Sequence, residues 1–311
     1  MIESQYLIAI DWGTSRLRAY LCSRNESEMQ HVATLEGKGT QKCVGQFEQE
    51  LFNVISPWLN EFGDMPIIMA GQIGSSIGWH EAQYMACPLT PQDIATGCLN
   101  FQSRDQDIYI VPGASCQFAD GSFDVMRSEE LQILGWLKAN PQYQLGSHVL
   151  CLPGTHTKWV RIEDGQILYF RTAMTGELFD LLSNQSMLLE HEVTGESDEH
   201  FLLGIEQILH NPESSLTHEL FLVRSKQLLH ELSPQQAKSF LSGMLIGADI
   251  RAAQQDPLWQ FSQLSDVHLI GAPELSEQFA KGLTLIDIQT SIMDAKQASL
   301  SGFASIERNI Q

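Results

Sequence analysis

Two stretches of this sequence repeat one plan, and the repetition constrains the fold more than any single motif does. Residues 7–21, LIAIDWGTSRLRAYL, run apolar from Leu7 to Ile10, reach Asp11, turn through Gly13, Thr14 and Ser15, and leave as an alternating segment. In that segment Leu17, Ala19 and Leu21 share one face while Arg16, Arg18 and Tyr20 share the other, the period of a half-buried strand. Residues 148–162, HVLCLPGTHTKWVRI, do the same: an apolar run, Gly154-Thr155, then a strand with Val160 and Ile162 on one face. A turn and a third apolar run follow each copy, at 25–28 and 31–35 in the first and at 164–165 and 167–170 in the second. A glycine turn lets backbone amides approach an anion, threonine and serine hydroxyls add donors, and an Asp at the mouth suits a phosphate-bound Mg²⁺. One such turn ends many ordinary strands. Two in matched halves predict a polyphosphate held between two domains.

The bulk numbers bound the classes of function. A chain of 311 residues with 43% hydrophobic content is long enough for two domains with real cores. No stretch approaches the roughly twenty apolar residues of a membrane span, and a strand rather than a leader is expected at the start. A cytoplasmic protein is the expectation. A net charge of −20 argues against a nucleic-acid partner and against an anionic membrane surface. It also makes the few cations informative, because an anion site on this surface must concentrate them. The six cysteines, Cys22, Cys43, Cys87, Cys98, Cys116 and Cys151, form no C-x-x-C pair, and reduced thiols with no part in catalysis or metal binding are expected.

Along the chain, Phe47, Leu51, Val54, Ile55, Trp58, Leu59 and Phe62 follow helical spacing, with Pro57 expected to kink or divide the helix. A buried strand at 66–70 opens into the glycine- and serine-rich stretch 71–80, which ends in Trp79 and His80. Ligands bind at the carboxyl ends of strands in α/β sheets, so this is a candidate substrate loop. A strand at 108–112 leads to Asp124-Val-Met-Arg-Ser-Glu-Glu130, where Ser128 is the expected N-cap of a helix carrying Leu131, Leu134 and Leu137. Glu129 and Glu130 complement the helix dipole there, and neighbours about 100° apart leave at most one carboxylate facing any one cleft. After a polar loop ending at Glu177, helices are expected over 177–189 and most of 199–255, with Pro212 and Pro234 at helix starts. A strand from 267, a glycine turn at Gly271-Ala272, a second strand at 283–288 and a last helix at 292–307 complete the pattern. The glycine turn suits a flat adenosine.

The order of these parts resembles the actin/hexokinase/heat-shock-chaperone ATPase superfamily. Asp11, Gly13, Thr14, Ser15 and Arg18 match the first phosphate motif of its sugar kinases, D-x-G-T-[ST]-x-x-R. Gly154 and Thr155 match the second phosphate motif, and Gly271-Ala272 falls where the adenosine motif belongs. Five longer blocks, MAGQIGSSIGWHEAQY, DVMRSEELQILG, LPGTHTKWV, FRTAMTGEL and SGMLIGADI, look like the 2-dehydro-3-deoxygalactonokinase family across nearly the whole chain.

The resemblance implies two ribonuclease-H-like domains, 1–125 and 126–311, each a mixed sheet flanked by helices, with the active site in the cleft between them and a last helix free to cross back. It implies ATP-dependent phosphorylation of the 6-hydroxyl of 2-dehydro-3-deoxy-D-galactonate, with ATP and Mg²⁺ as cofactors and a sugar acid as partner; a homodimer is compatible with it. Asp11 would hold the metal. Gly13, Thr14, Ser15, Gly154 and Thr155 would grip the phosphates, Arg18 or Lys158 would offset their charge, and closure of the domains would exclude water. The wider superfamily carries an Asp as general base before the second phosphate motif, where this chain has glutamates. Glu129 is the expected base, with Glu130 and Asp124 as alternatives. Arg127 or Arg171 would meet the acceptor carboxylate, with Ser75, Ser76 and Trp79 shaping the pocket. Lys158 is alternatively a solvated hairpin residue, the two arginines structural ion-pair partners, and His80 and His156 structural. A kinase of another acid, such as 2-dehydro-3-deoxygluconate, and an ATP-binding sensor are the competing readings.

Overall fold

The computed structural model describes residues 5–24, 29–189 and 195–310; the first expected turn, at 25–28, lies outside them. The first Gly-Thr unit forms as the pattern predicts. Strands β1 (Tyr6–Trp12) and β2 (Arg16–Arg24) pair antiparallel with Asp11 opposite Arg18, and β3 (Met29–Lys38) extends the pair. Helix α1 (Phe47–Phe62) buries Phe47, Leu51, Phe52, Ile55 and Trp58. Pro57 does not divide α1: the helix runs through it. A proline leaves the carbonyl four residues back without its amide. That carbonyl, on Asn53, accepts from the Ser56 hydroxyl at 3.4 Å.

Strand β4 (Ile67–Ala70) lies parallel to β1. Then follow β5 (Tyr84–Ala86), α2 (Pro91–Thr96), β6 (Leu99–Ser103), β7 (Gln106–Ile110), β8 (Gly113–Gln117), β9 (Phe123–Met126) and α3 (Glu129–Ala139). Among the described residues these strands make one sheet in the order β3-β2-β1-β4-β7-β6 and a smaller one in the order β5-β8-β9. Ile8, Ile10, Trp12, Leu17, Leu51, Ile67 and Ile108 meet in one apolar core between α1 and the larger sheet.

The second Gly-Thr unit is β10 (Ser147–Leu152), β11 (Thr157–Glu163) and β12 (Gln166–Ala173). After it come helices α4 (Thr175–Asn184), α5 (Asp198–Leu209), α6 (Leu216–Leu228) and α7 (Pro234–Gln255). The chain closes with β13 (Asp266–Gly271), α8 (Pro273–Thr284), β14 (Gln289–Asp294) and α9 (Ala295–Asn309). The sheet order is β12-β11-β10-β13-β14, with β13 parallel to both β10 and β14.

Some helix and strand boundaries depart from the sequence reading. Pro234 starts α7, inside a Ser233–Gln236 capping box, but Pro212 precedes α6 by a turn. Of the residues expected as a strand at 283–288, the first two finish α8, with Leu283 buried on its core face, and the rest form the turn after it. The strand follows six residues later as β14, whose faces are mostly exposed. An edge strand of that kind carries little alternation to read.

The chain divides into two compact units: one runs to Ser147 and also takes Ile162–Phe170 and everything from Ala295; the other holds His148–Arg161 and Arg171–Asp294. Residue 125, where the sequence suggested a division, lies inside β9. Helix α9 packs along α3, and an ion pair joins Arg24 of β2 to Glu307 of α9, which keeps both segments in the first unit. Among the described residues no helix is long and apolar enough to cross a membrane.

Candidate active site

Both Gly-Thr turns are braced by backbone, and in the same manner. In the first unit the Gly13 amide donates to the Arg16 carbonyl at 3.0 Å, closing the turn, while the Thr40 and Gln41 amides donate to the Gly13 and Thr14 carbonyls. This leaves no room for a side chain at residue 39: a Cβ on Gly39 would lie 2.2 Å from the Thr14 carbonyl oxygen. In the second unit the Glu177 amide donates to the Thr155 carbonyl at 2.9 Å, and a Cβ on Gly176 would lie 2.4 Å from the Gly154 oxygen. With their carbonyls held from behind, the turns are rigid.

Asp11 ends β1 beside the first turn, and its Oδ2 lies 3.4 Å from the Arg18 guanidinium on β2. Burial pushes the Asp11 carboxyl above its ordinary range, and Arg18 pulls it back. On the adjacent strand, Gly71 follows β4 and lies against the Trp12 carbonyl and the Ser128 hydroxyl. The ends of β1 and β4 and the start of α3 therefore converge.

At the head of α3 the structure revises the expected cap. Ser128 has a φ of 95° and its hydroxyl caps nothing; instead the two acids fold back on the preceding backbone. Glu129 Oε2 accepts from the Arg127 amide at 3.1 Å, and both oxygens of Glu130 accept from the Ser128 amide at 3.0 and 2.9 Å. Only one carboxylate can be reached by a ligand, because Glu130 is fully buried while Glu129 is half-buried. Burial, then the Glu129 charge, pushes Glu130 up from 4.5 to about 8, against the Ser128 amide and Arg127.

A carboxyl raised on folding contributes stability that is complete below the unfolded value and is lost as pH rises through the folded one. Unfolding free energy is therefore expected to fall by about 1.4 kcal/mol per pH unit between those limits from this group alone. Glu130→Gln should flatten that slope in denaturant melts run from pH 5 to pH 8. An unchanged slope would show that Glu130 is ionised in the folded protein.

Arg127 reaches away from the glutamates. Its Nη2 donates to the Ala82 carbonyl at 2.8 Å, its guanidinium lies 4.4 Å over the Tyr84 ring, and its Nε and Nη1 are buried without a hydrogen-bond partner. Ser75 is spent on its own turn, donating to the Gln72 carbonyl at 2.7 Å. Ser76 and Trp79 line a separate cavity of about 1210 Å³ with Thr40, Gln41 and Arg104, in which neither Arg127 nor Glu129 takes part. His80 packs on Trp79 and Phe101.

In the second unit Gly154 and Thr155 form one end of a cavity of about 730 Å³. Thr175, Gly176 and Glu177 of α4 flank that end, and Lys238, Ser242 and Leu245 of α7 face Leu275, Gln278 and Phe279 of α8 further along. Gly271 and Ala272 do not line it. Their turn launches α8, whose first turns do. The lining residues of α7 and α8 were invisible as single motifs, although the block 242–250 contains Ser242, Leu245 and Ile246. Lys158 is buried, with Nζ 3.4 Å from the His156 carbonyl, which corrects the solvated alternative. The His156 ring nitrogen meets Glu177 at 2.5 Å. Arg171 pairs with Asp256 at 3.1 Å, the structural pairing weighed for it. Asp124 lies on β9, clear of the helix head, with its carboxylate on the Val125 amide. Among the described residues the cysteines form no disulfide, and burial pushes Cys22, Cys87 and Cys98 up to about 12; such thiols are poor nucleophiles.

Paired strand–turn–strand units on helix-flanked mixed sheets, each with a braced Gly-Thr turn, define an actin-like ATPase fold. The activator of 2-hydroxyisocaproyl-CoA dehydratase from Clostridium difficile, solved with bound ADPNP, superposes over 98% of this chain and 95% of that one with a TM-score of 0.50 at 11% identity. A crystal structure of a candidate 2-dehydro-3-deoxygalactonokinase from Sinorhizobium meliloti superposes with a TM-score of 0.85 at 30% identity, over 98% of this chain and 99% of that one. The 2-dehydro-3-deoxygalactonokinase of Escherichia coli (strain K12) is 32% identical over 305 residues, 96% of each chain. The family profile described as 2-keto-3-deoxy-galactonokinase matches residues 11–306. This chain belongs to the 2-keto-3-deoxy-galactonokinase family.

Proposed function

We propose that this protein transfers the γ-phosphoryl group of ATP to the 6-hydroxyl of 2-dehydro-3-deoxy-D-galactonate. The observation that carries the reading is the cavity that begins at Gly154-Thr155 and continues between α7 and α8. It has amides and hydroxyls at one end, a wall of mixed apolar and polar side chains at the other, and the size of a nucleotide site. A bound ATP analogue in a protein of the same fold and kinase names on full-length relatives support the same reading.

Phosphoryl transfer asks a protein for in-line positioning and charge neutralisation rather than covalent help. Gly154 and Thr155 hold phosphate oxygens through amides and a hydroxyl, and the Gly13–Ser15 turn carries the same groups. Asp11 fits Mg²⁺, because that ion takes one or two carboxylates and keeps waters and phosphate oxygens as its other ligands; among the described residues no cluster of three or more His, Cys, Asp or Glu exists to hold a different kind of ion. When bound, Mg²⁺ neutralises charge developing on the transferred group. Glu129 accepts the proton of the attacking hydroxyl, and Arg127, with two unpartnered guanidinium nitrogens, serves the acceptor carboxylate.

ADP release is expected with Mg-ATP and 2-dehydro-3-deoxygalactonate, and not with the gluconate epimer or without an acceptor. Comparable turnover with both epimers would withdraw the narrow specificity. ATP binding without acceptor-dependent turnover would favour a sensor.

A further inference from the structure

Asp249 on α7 is a buried acid with no part in the chemistry above. It is 6% exposed and does not line the cavity. Its Oδ1 accepts from the Trp159 indole N–H of β11 at 2.9 Å, and its Oδ2 accepts from the Thr175 hydroxyl at 2.6 Å. Thr175 is the first residue of α4, and the next two residues brace the second Gly-Thr turn, Gly176 by close approach and Glu177 through its amide. One carboxylate thus ties the strand that leaves the turn to the helix end that backs it.

We infer that Asp249 is a positioning residue for the phosphate end of the nucleotide site: through Thr175 it sets the first turn of α4 against Gly154-Thr155, and so aims that turn at the phosphates. It touches no ligand itself. The effect should appear on the phosphate chain of a nucleotide and not on its nucleoside, because Thr175 lies at the Gly154-Thr155 end of the cavity, whereas the other end is lined by α8 residues and by α7 side chains other than Asp249. The inference rests on the second Gly-Thr turn being a phosphate turn.

Calorimetric binding of Mg-ADP and of adenosine separates the roles, using the full chain and its Asp249→Asn, Thr175→Val and doubly substituted variants. Thr175→Val removes the hydroxyl from the link and Asp249→Asn replaces its charged acceptor with a neutral amide, so each is expected to weaken ADP about tenfold, and the pair no more than either alone. Adenosine should bind all four proteins equally, and Thr175→Ser, which keeps the hydroxyl, should bind ADP like the parent. If Asp249→Asn does not fold, Thr175→Val and Thr175→Ser carry the comparison alone. ADP affinity within twofold of the parent in folded variants, or parallel loss of adenosine, would overturn the positioning role. Failure of the unsubstituted protein to bind ADP would instead overturn the kinase reading on which it rests.

Discussion

Asp11→Asn is expected to lower kcat about a thousandfold while the protein stays folded. The carboxylate is a third exposed at the end of β1, beside a turn whose carbonyls are held from behind. Its one charged neighbour is Arg18 at 3.4 Å, and a pair so placed contributes about 0–1 kcal/mol to stability. A purely structural Asp11 would therefore cost a few degrees of melting temperature and little activity. Holding the metal is different, since an ion that neutralises transferring charge supplies several kcal/mol to the transition state, and each 1.4 kcal/mol is about tenfold in rate. Activity in Asp11→Asn should also need far more Mg²⁺ to reach its plateau. A kcat within threefold of the parent, with an unchanged Mg²⁺ titration, would remove Asp11 from the metal site.

The hairpin units were legible because their strands are buried on one or both faces, so Leu17, Ala19 and Leu21 alternate in sequence as they do in space. The Asp11–Arg18 pairing, which the sequence reading did not draw, follows from the same tight turn, because it leaves little freedom of register. Where that constraint is missing, legibility fails. Strand β14 is an exposed edge, and its apolar signal was eclipsed by Leu283 and Ile288, which bury themselves at the end of α8 and just before β14.

The candidate site divides along the same line. Residues that act through backbone in a local turn, such as Gly13 and Gly154, announce themselves by their neighbours in sequence. The cavity wall contributed by Ser242 and Gln278 depends on how two distant helices pack, and Asp249 finds its partners 90 and 74 residues away. No local pattern carries that information. The choice between Glu129 and Glu130 likewise needed burial, because their sequence contexts are almost identical.

Glu129→Gln is expected to lower kcat by about 10²–10⁴, the range for a positioned general base, with the KM values for ATP and acceptor little changed. The proposed role rests on access. Both acids fold back on backbone amides, but Glu130 spends both oxygens on the Ser128 amide inside the core, whereas Glu129 contacts Arg127 through Oε2 and remains half-buried. A base must come within about 2.6–3.2 Å of the hydroxyl it deprotonates, and a fully buried carboxyl cannot. Glutamine preserves the shape and the acceptor oxygen for the Arg127 amide, so the helix head should survive and melting temperature should hold. Glu130→Gln is the paired control, and it should keep most of the parental kcat. If the losses fall the other way, with Glu129→Gln within tenfold of the parent and Glu130→Gln nearly inactive, then the helix head must rearrange when substrate binds and Glu130 is the base. If only Asp124→Asn loses activity, the base lies on β9, and the acids of α3 serve the Ser128 turn alone.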